Sequence, residues 1–237
     1  MRDGLSGGVI HFLAGLSPAD HDRALSVLRG CETLEVEAGM PRFTNGFPAD
    51  ALLLVEDGFV VLRATVSDGV RSVVTCEAGP GRVLLAPERE EVLVGLGGSR
   101  LMVLDPGARA EVLRIPALAA RLVHQLTLAL GQRQEAIAHL APTHHVDRVR
   151  GKLLQLAGSY GHVVRGGVRI DFPVSHSLIA EMTGSSRETV TRAVAQLQRA
   201  GFVERRGSTY RLLVSPESVL FAQLRPWSDG RDPCHEM

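Results

Sequence analysis

The residues of this chain best suited to chemistry run from Ser185 to Arg192, where the sequence reads Ser-Ser-Arg-Glu-Thr-Val-Thr-Arg. On a helix advancing about 100° per residue, Arg187, Glu188, Thr191 and Arg192 fall within one arc of about 140°, while Val190, Ala193, Val194 and Leu197 take the opposite side. An arginine can donate two hydrogen bonds to guanine O6 and N7, and a glutamate can accept one from cytosine N4. The same spacing also suits an ordinary surface ion pair between Glu188 and Arg192, four residues apart. The surroundings favour the first reading. Ser175 begins a preceding helix whose Leu178, Ile179 and Met182 share a face, Gly184 supplies a turn, and Ser185 or Ser186 caps the second helix. That is helix-turn-helix spacing, with the reading residues near the N-terminus of the second helix, where such a helix meets base edges. The hairpin from Phe202 to Val214, carrying Arg205, Arg206 and Arg211 around Gly207-Ser208, resembles a wing able to touch phosphates.

The charge distribution agrees. Over the whole chain 26 Lys and Arg balance 26 Asp and Glu, yet residues 143–214 hold 11 basic and 5 acidic residues. Residues 1–142 hold 13 basic and 17 acidic, and the segment from Ser215 onward holds 2 and 4. A basic domain joined to an acidic one is the asymmetry expected when only one of them meets a polyanion.

Other elements must position that motif. From Thr33 to Leu104, short β-type runs alternate with glycine turns, predicting an all-β roll built from hairpins. A helical stretch precedes it between Leu5 and Arg29, with Ser17 as N-cap and Pro18 at the first helical position. After Pro116, Leu118, Leu122, Leu126, Leu130, Ile137 and Leu140 mark a helix of about 24 residues, roughly 36 Å long. Its stripe needs a cover, and a second copy of the helix would supply one as a dimer. Pro142 ends this helix, Thr143 caps the next one, and the last twenty or so residues read as a loose tail.

Several classes are excluded. No apolar run approaches the roughly 20 residues of a membrane span, and the N-terminus lacks the pattern of a secretory signal, so the expected location is the cytoplasm. Cys31, Cys76 and Cys234 are too few and too scattered for an iron–sulfur cluster or a disulfide framework. Cys76 reads as a buried strand cysteine rather than a haem ligand, and the adjacent His144 and His145 point about 100° apart on a helix, a poor metal pair. The β-region contains no histidine for a metal oxygenase, and no P-loop, GxSxG or HExxH occurs, so no catalytic residue, metal or cofactor is expected. A helical dimer whose C-terminal domain binds protein instead of DNA is the remaining alternative class.

The segment IAEMTGSSRETVTRAVAQLQRAGFVERRG closely resembles the recognition region of the cyclic-AMP receptor protein and FNR (CRP/FNR) family of bacterial transcription regulators. ALLLVEDGFVVL and the helix after Pro116 are similar to that family's effector-domain strands and dimerisation helix. The resemblance implies an α+β chain: an N-terminal β-roll of the cyclic-nucleotide-binding jelly-roll type (1–115), a dimerisation helix (116–141), a winged helix-turn-helix (142–215) and a tail (216–237). It further implies a homodimer on double-stranded DNA, with RNA polymerase as a partner. By the same resemblance Arg187, Glu188 and Arg192 match the readers of a GTGA-type half-site, and Ser186 and Thr189 match phosphate contacts, with Ser175, Ser185, Thr191, Arg205 and Arg206 in support. The effector loop departs from the family. Cyclic-AMP binders place Gly-Glu before a short helix and Arg-Ser or Arg-Thr after it, whereas GPGRVLLAPEREEVLVGL places Arg82 near the glutamate and follows Arg89 with Glu90 and Glu91. Carboxylates there oppose a cyclic phosphate. Arg82, Arg89 and Glu90 are the effector-pocket candidates, the effector is unidentified, and independence from cyclic AMP is expected; a ligand-gated regulator with a divergent pocket is the alternative.

Overall fold

The computed structural model describes residues 6–48, 50–65, 72–88, 90–138 and 144–219. They group into two compact units, residues 1–143 with 180–186, and residues 144–179 with 187–237.

The first unit begins with two helices, α1 (Gly7–Leu13) and α2 (Pro18–Arg29). The chain leaves the helix at Ala14, and Gly15 at φ +77° turns it, which divides the stretch read as helical. Ser17 caps α2 as expected, accepting from the Asp20 amide at 3.2 Å, with Pro18 in the first turn, where its missing N–H costs nothing.

Eight strands follow: β1 (Glu32–Val36), β2 (Pro41–Phe43), β3 (Leu52–Asp57), β4 (Val60–Thr65), β5 (Ser72–Ala78), β6 (Val83–Leu85), β7 (Glu91–Gly95) and β8 (Ser99–Leu104). They form two antiparallel sheets in the orders β1-β8-β3-β6 and β2-β7-β4-β5. The short β2 and β6 were not marked in the sequence, because three residues are too few to show an alternation. The first sheet is covered on both faces. Leu53, Val55, Leu101 and Val103 enter the core shared by the two sheets, while Leu52, Leu54, Met102 and Leu104 meet the helices. Strand side chains alternate between faces, so burial on both sides requires the unbroken apolar runs seen in β3 and β8.

Next come α3 (Pro106–Leu113) and α4 (Pro116–Ala138). Asp105 caps α3, accepting from the Ala108 amide at 2.8 Å; this helix was not expected, although Asp-Pro is a recognisable start signal. The leucine stripe of α4 divides between two environments. Leu118 and Leu122 are fully buried in their own unit's core with Leu25, Leu104 and Ile115; Leu126 packs partly against that core; Leu130 is 57% exposed. The expectation that the whole stripe forms a dimer face is therefore corrected for Leu118 and Leu122, whose burial within one copy is worth about 1.5–3 kcal/mol each. The exposed apolar positions are Val123 and Leu130, seven residues apart, with Leu128 at the edge. The side chain of Ile137, and Leu140, Pro142 and Thr143, lie outside the described residues.

The second unit contains α5 (His145–Tyr160), β9 (Gly161–Val164), β10 (Gly167–Ile170), the start of α6 (His176–Thr183), α7 (Arg187–Arg199), β11 (Val203–Arg206) and β12 (Thr209–Leu212), the second half of α6 and the turn after it, residues 180–186, being grouped with the first. His144 holds the cap position of α5 and makes no side-chain cap bond. The four strands form one antiparallel sheet, β11-β12-β10-β9. Val149, Leu153, Val168, Val190, Val194 and Tyr210 are among its buried residues. Residues 216–219 make a further helical turn with Val219 buried, so the expected tail is ordered at its start; residues 220–237 lie outside the described residues.

Candidate DNA-binding site

Two local devices aim α7. Gly184, at φ +58°, takes the left-handed turn between α6 and α7, a conformation that side-chain-bearing residues rarely adopt. Ser175 caps α6 by accepting from the Leu178 amide at 3.0 Å. The wing is tied to the segment entering α6, because the Val174 amide donates to the Ser208 carbonyl at 2.8 Å. With Val190, Ala193, Val194 and Leu197 buried, rotation of α7 is set by its apolar face.

Arg187, Glu188, Thr191 and Arg192 are all exposed, side by side on the outward face, and Ser186 just before α7 is exposed as well. Ser185 and Thr189 are half-buried; the Ser185 hydroxyl donates to the Thr183 carbonyl at 3.4 Å. Arg205 and Arg206 are exposed on β11, and the Arg205 guanidinium lies 5.7 Å from the centre of the Tyr210 ring. Burial pushes the Tyr210 phenol up to about 12, so it stays protonated. Arg211 differs from its two neighbours. It pairs with Glu204 and donates to the Arg165 carbonyl, which commits its charge within the sheet.

One residue of this surface escaped the sequence reading. His176, the first residue of α6, places Nδ1 2.8 Å from the Thr191 hydroxyl on α7, and that hydroxyl lies 2.9 Å from the Arg187 carbonyl. Burial, with the Arg205 and Arg187 charges behind it, lowers the imidazole below its ordinary basicity. His176 and Thr191 lie fifteen residues apart on different helices, so no period of a single helix or strand pairs them and the contact has no signal in the sequence.

Two of the three effector-pocket candidates are described. Glu90 is exposed, Arg82 is half-buried with its backbone paired to Val55 and Gly79, and Arg89 lies outside the described residues. An apolar cavity of about 220 Å³, lined by Leu62, Cys76, Leu85, Leu126, Ala129, Leu130 and Arg133, opens between the strands and α4, with Leu130 at its exposed rim. Glu91 turns inward, accepting from Arg133 at 3.0 Å and from the Thr75 hydroxyl at 2.6 Å, while Glu88 accepts from the other Arg133 nitrogen at 3.2 Å. The neighbouring Gln132 accepts from the Cys76 thiol at 3.0 Å and from the Glu77 amide at 3.4 Å. Two consecutive side chains of α4 thus bind it to β5 and β7 at the mouth of this cavity. No described helix is long and apolar enough to cross a membrane.

Comparison with known proteins bears on these features. Residues 147–217 match a Crp-like helix-turn-helix domain. The chain is 26% identical over 220 residues to the CRP-like cAMP-activated global transcriptional regulator of Mycobacterium tuberculosis, covering 90% of this chain and 97% of that protein. It is 29% identical over 196 residues to the cyclic AMP receptor protein of Thermus thermophilus, covering 80% and 86%. A CooA mutant from Carboxydothermus hydrogenoformans has the same fold, with a TM-score of 0.67 at 18% identity over 83% of this chain and 90% of that one. The first of these relatives is by name a transcriptional regulator. Residues 147–217 are thus a Crp-like helix-turn-helix domain, and along nearly its whole length the chain is similar to CRP-type transcription regulators.

Proposed function

We propose that the protein acts as a cytoplasmic homodimer that reads an inverted repeat of GTGA-like half-sites without requiring cyclic AMP, and that it works on RNA polymerase. The single observation that carries the reading is the outward face of α7, where Arg187, Glu188 and Arg192 stand exposed beside one another. In this reading Arg187 and Arg192 each pair with a guanine, and Glu188 with a cytosine on the complementary strand. Ser175, Ser185, Ser186, Thr189, Thr191, Arg205 and Arg206 hold the helix and wing against the backbone. Residues 1–115 form the effector-type domain, 116–141 the dimer helix and 142–215 the DNA-binding domain.

Dimerisation is supported by the second apolar face of α4, Val123 and Leu130, which its own unit leaves uncovered. A two-fold protein needs half-sites on one face of the duplex, about one or more helical turns apart. Two relatives carry cyclic AMP in their names. Here the one arginine at the cavity, Arg133, already faces the Glu88 and Glu91 carboxylates, and a cyclic phosphate entering beside them would be repelled. An effector for the cavity would be small and uncharged, in keeping with its apolar lining.

Selection of bound duplexes from random DNA, repeated with Arg187→Ala, tests the reading. The wild type should select an inverted GTGA-like repeat, and the variant should lose about 1–3 kcal/mol at one base pair and accept other bases there. Equal weakening on selected and random DNA would make Arg187 a phosphate contact and remove the base assignment. Calorimetry with cyclic AMP should give no binding at micromolar concentration.

A further inference from the structure

His176 sits beside the reading face and is unused in the function proposed above. Its geometry assigns a tautomer. Both contacts are satisfied together only when the Thr191 hydroxyl donates to the Arg187 carbonyl and His176 Nδ1 donates to the Thr191 oxygen. That leaves Nε2 as a bare lone pair, enclosed and without a hydrogen-bond partner. The charged groups acting on the ring are Arg205 on β11 and Arg187 on α7, both positive. Burial of Nε2 and the two positive charges all disfavour a further proton there.

Duplex DNA reverses this field. It carries one negative charge per roughly 1.7 Å of axis, and engagement of Arg205 by phosphate and of Arg187 by a base edge compensates the two charges that keep the ring neutral. We propose that His176 couples DNA binding to proton uptake, its Nε2 taking one proton from solvent as Arg187 and Arg205 close on the duplex. This rests on the DNA-reading role given to α7. The Nδ1–H bond to Thr191 exists in both the neutral and the charged ring, so the reading helix keeps its attachment to the start of α6 while the charge is added. Proton uptake on binding fixes the sign. The complex holds more protons than the free protein, so affinity rises as the pH falls through the imidazole range and is flat above it.

Calorimetry on the full chain and a duplex bearing an inverted repeat of GTGA half-sites tests this at about pH 6, just below the ordinary imidazole midpoint of about 6.5, in two buffers of very different ionisation enthalpy. The wild type should show a buffer-dependent enthalpy equal to a fractional proton taken up per subunit, fading to none by about pH 8. His176→Asn keeps an N–H able to reach Thr191 but cannot titrate, and it should show none of that uptake whatever its affinity. The His176 ring resonance followed by NMR in the wild type gives a reading that needs no variant to fold: its titration midpoint should be higher in the complex than in the free protein. Equal midpoints, or the same uptake in wild type and His176→Asn, would overturn the proposal while leaving the reading of α7 intact. A wild type that binds no duplex at any pH would overturn both.

Discussion

Helices α4 and α7 are both amphipathic, yet they use the pattern in opposite ways. In α7 one apolar face is buried and the other face is polar and charged, so the residues turned outward can be named from spacing alone. In α4 the buried face and part of the exposed face are both apolar, and the leucine period runs across the two. A period of 3.6 tells which residues share a face. It does not tell which face the same chain covers, and for α4 that distinction separates residues that hold one copy together from residues left for another.

The sharpest way to break this comparison is at Leu122. Its side chain is 1% exposed in the core of the first unit, so Leu122→Ala should cost about 2–5 kcal/mol of unfolding free energy, a large share of the 5–15 typical of a domain. Denaturant unfolding measures it, and a loss below about 0.5 kcal/mol would mean that Leu122 faces the partner after all. Leu130→Glu should do the reverse. It should change unfolding of the unit by under about 0.5 kcal/mol, because an exposed position tolerates a charge. In a two-fold dimer that charge meets its own copy, so sedimentation should find monomers. A Leu130→Glu dimer as tight as wild type would exclude this face.

The smallest effect sharpens the α7 side. Arg206, exposed on the wing, carries no base-reading role, so Arg206→Ala should weaken binding to all sequences alike and lower the salt slope by about 1. Titrations at several salt concentrations check this. A change in base preference would make the wing a reader rather than a support.

Much of the molecule was legible in advance for physical reasons. The Ser17-Pro18 start of α2, the unbroken runs of β3 and β8, the Gly184 turn and the face of α7 are all local, set by a cap, a strand period or a single dihedral preference. Less legible were β2 and β6, too short to alternate, and α3, whose Asp-Pro start lay directly after a strand. The effector candidates fared worst. Glu90 and Glu91 are adjacent, yet Glu90 stands exposed in the turn before β7 while Glu91, the first residue of the strand, reaches Arg133, 42 residues away.

What the sequence determined by itself was therefore the helix-turn-helix and the residues that its second helix turns outward, because one amphipathic helix, one turn and the local charge excess need only neighbours in the chain. Tertiary structure decided the rest: that Leu118 and Leu122 belong to the core while Val123 and Leu130 remain outside, that Glu91 and Gln132-Arg133 bind α4 to the strands, and that His176 reaches Thr191. Each of these depends on which distant surfaces meet. A periodic pattern states that a face must be covered, but the identity of the cover is fixed only when the elements pack.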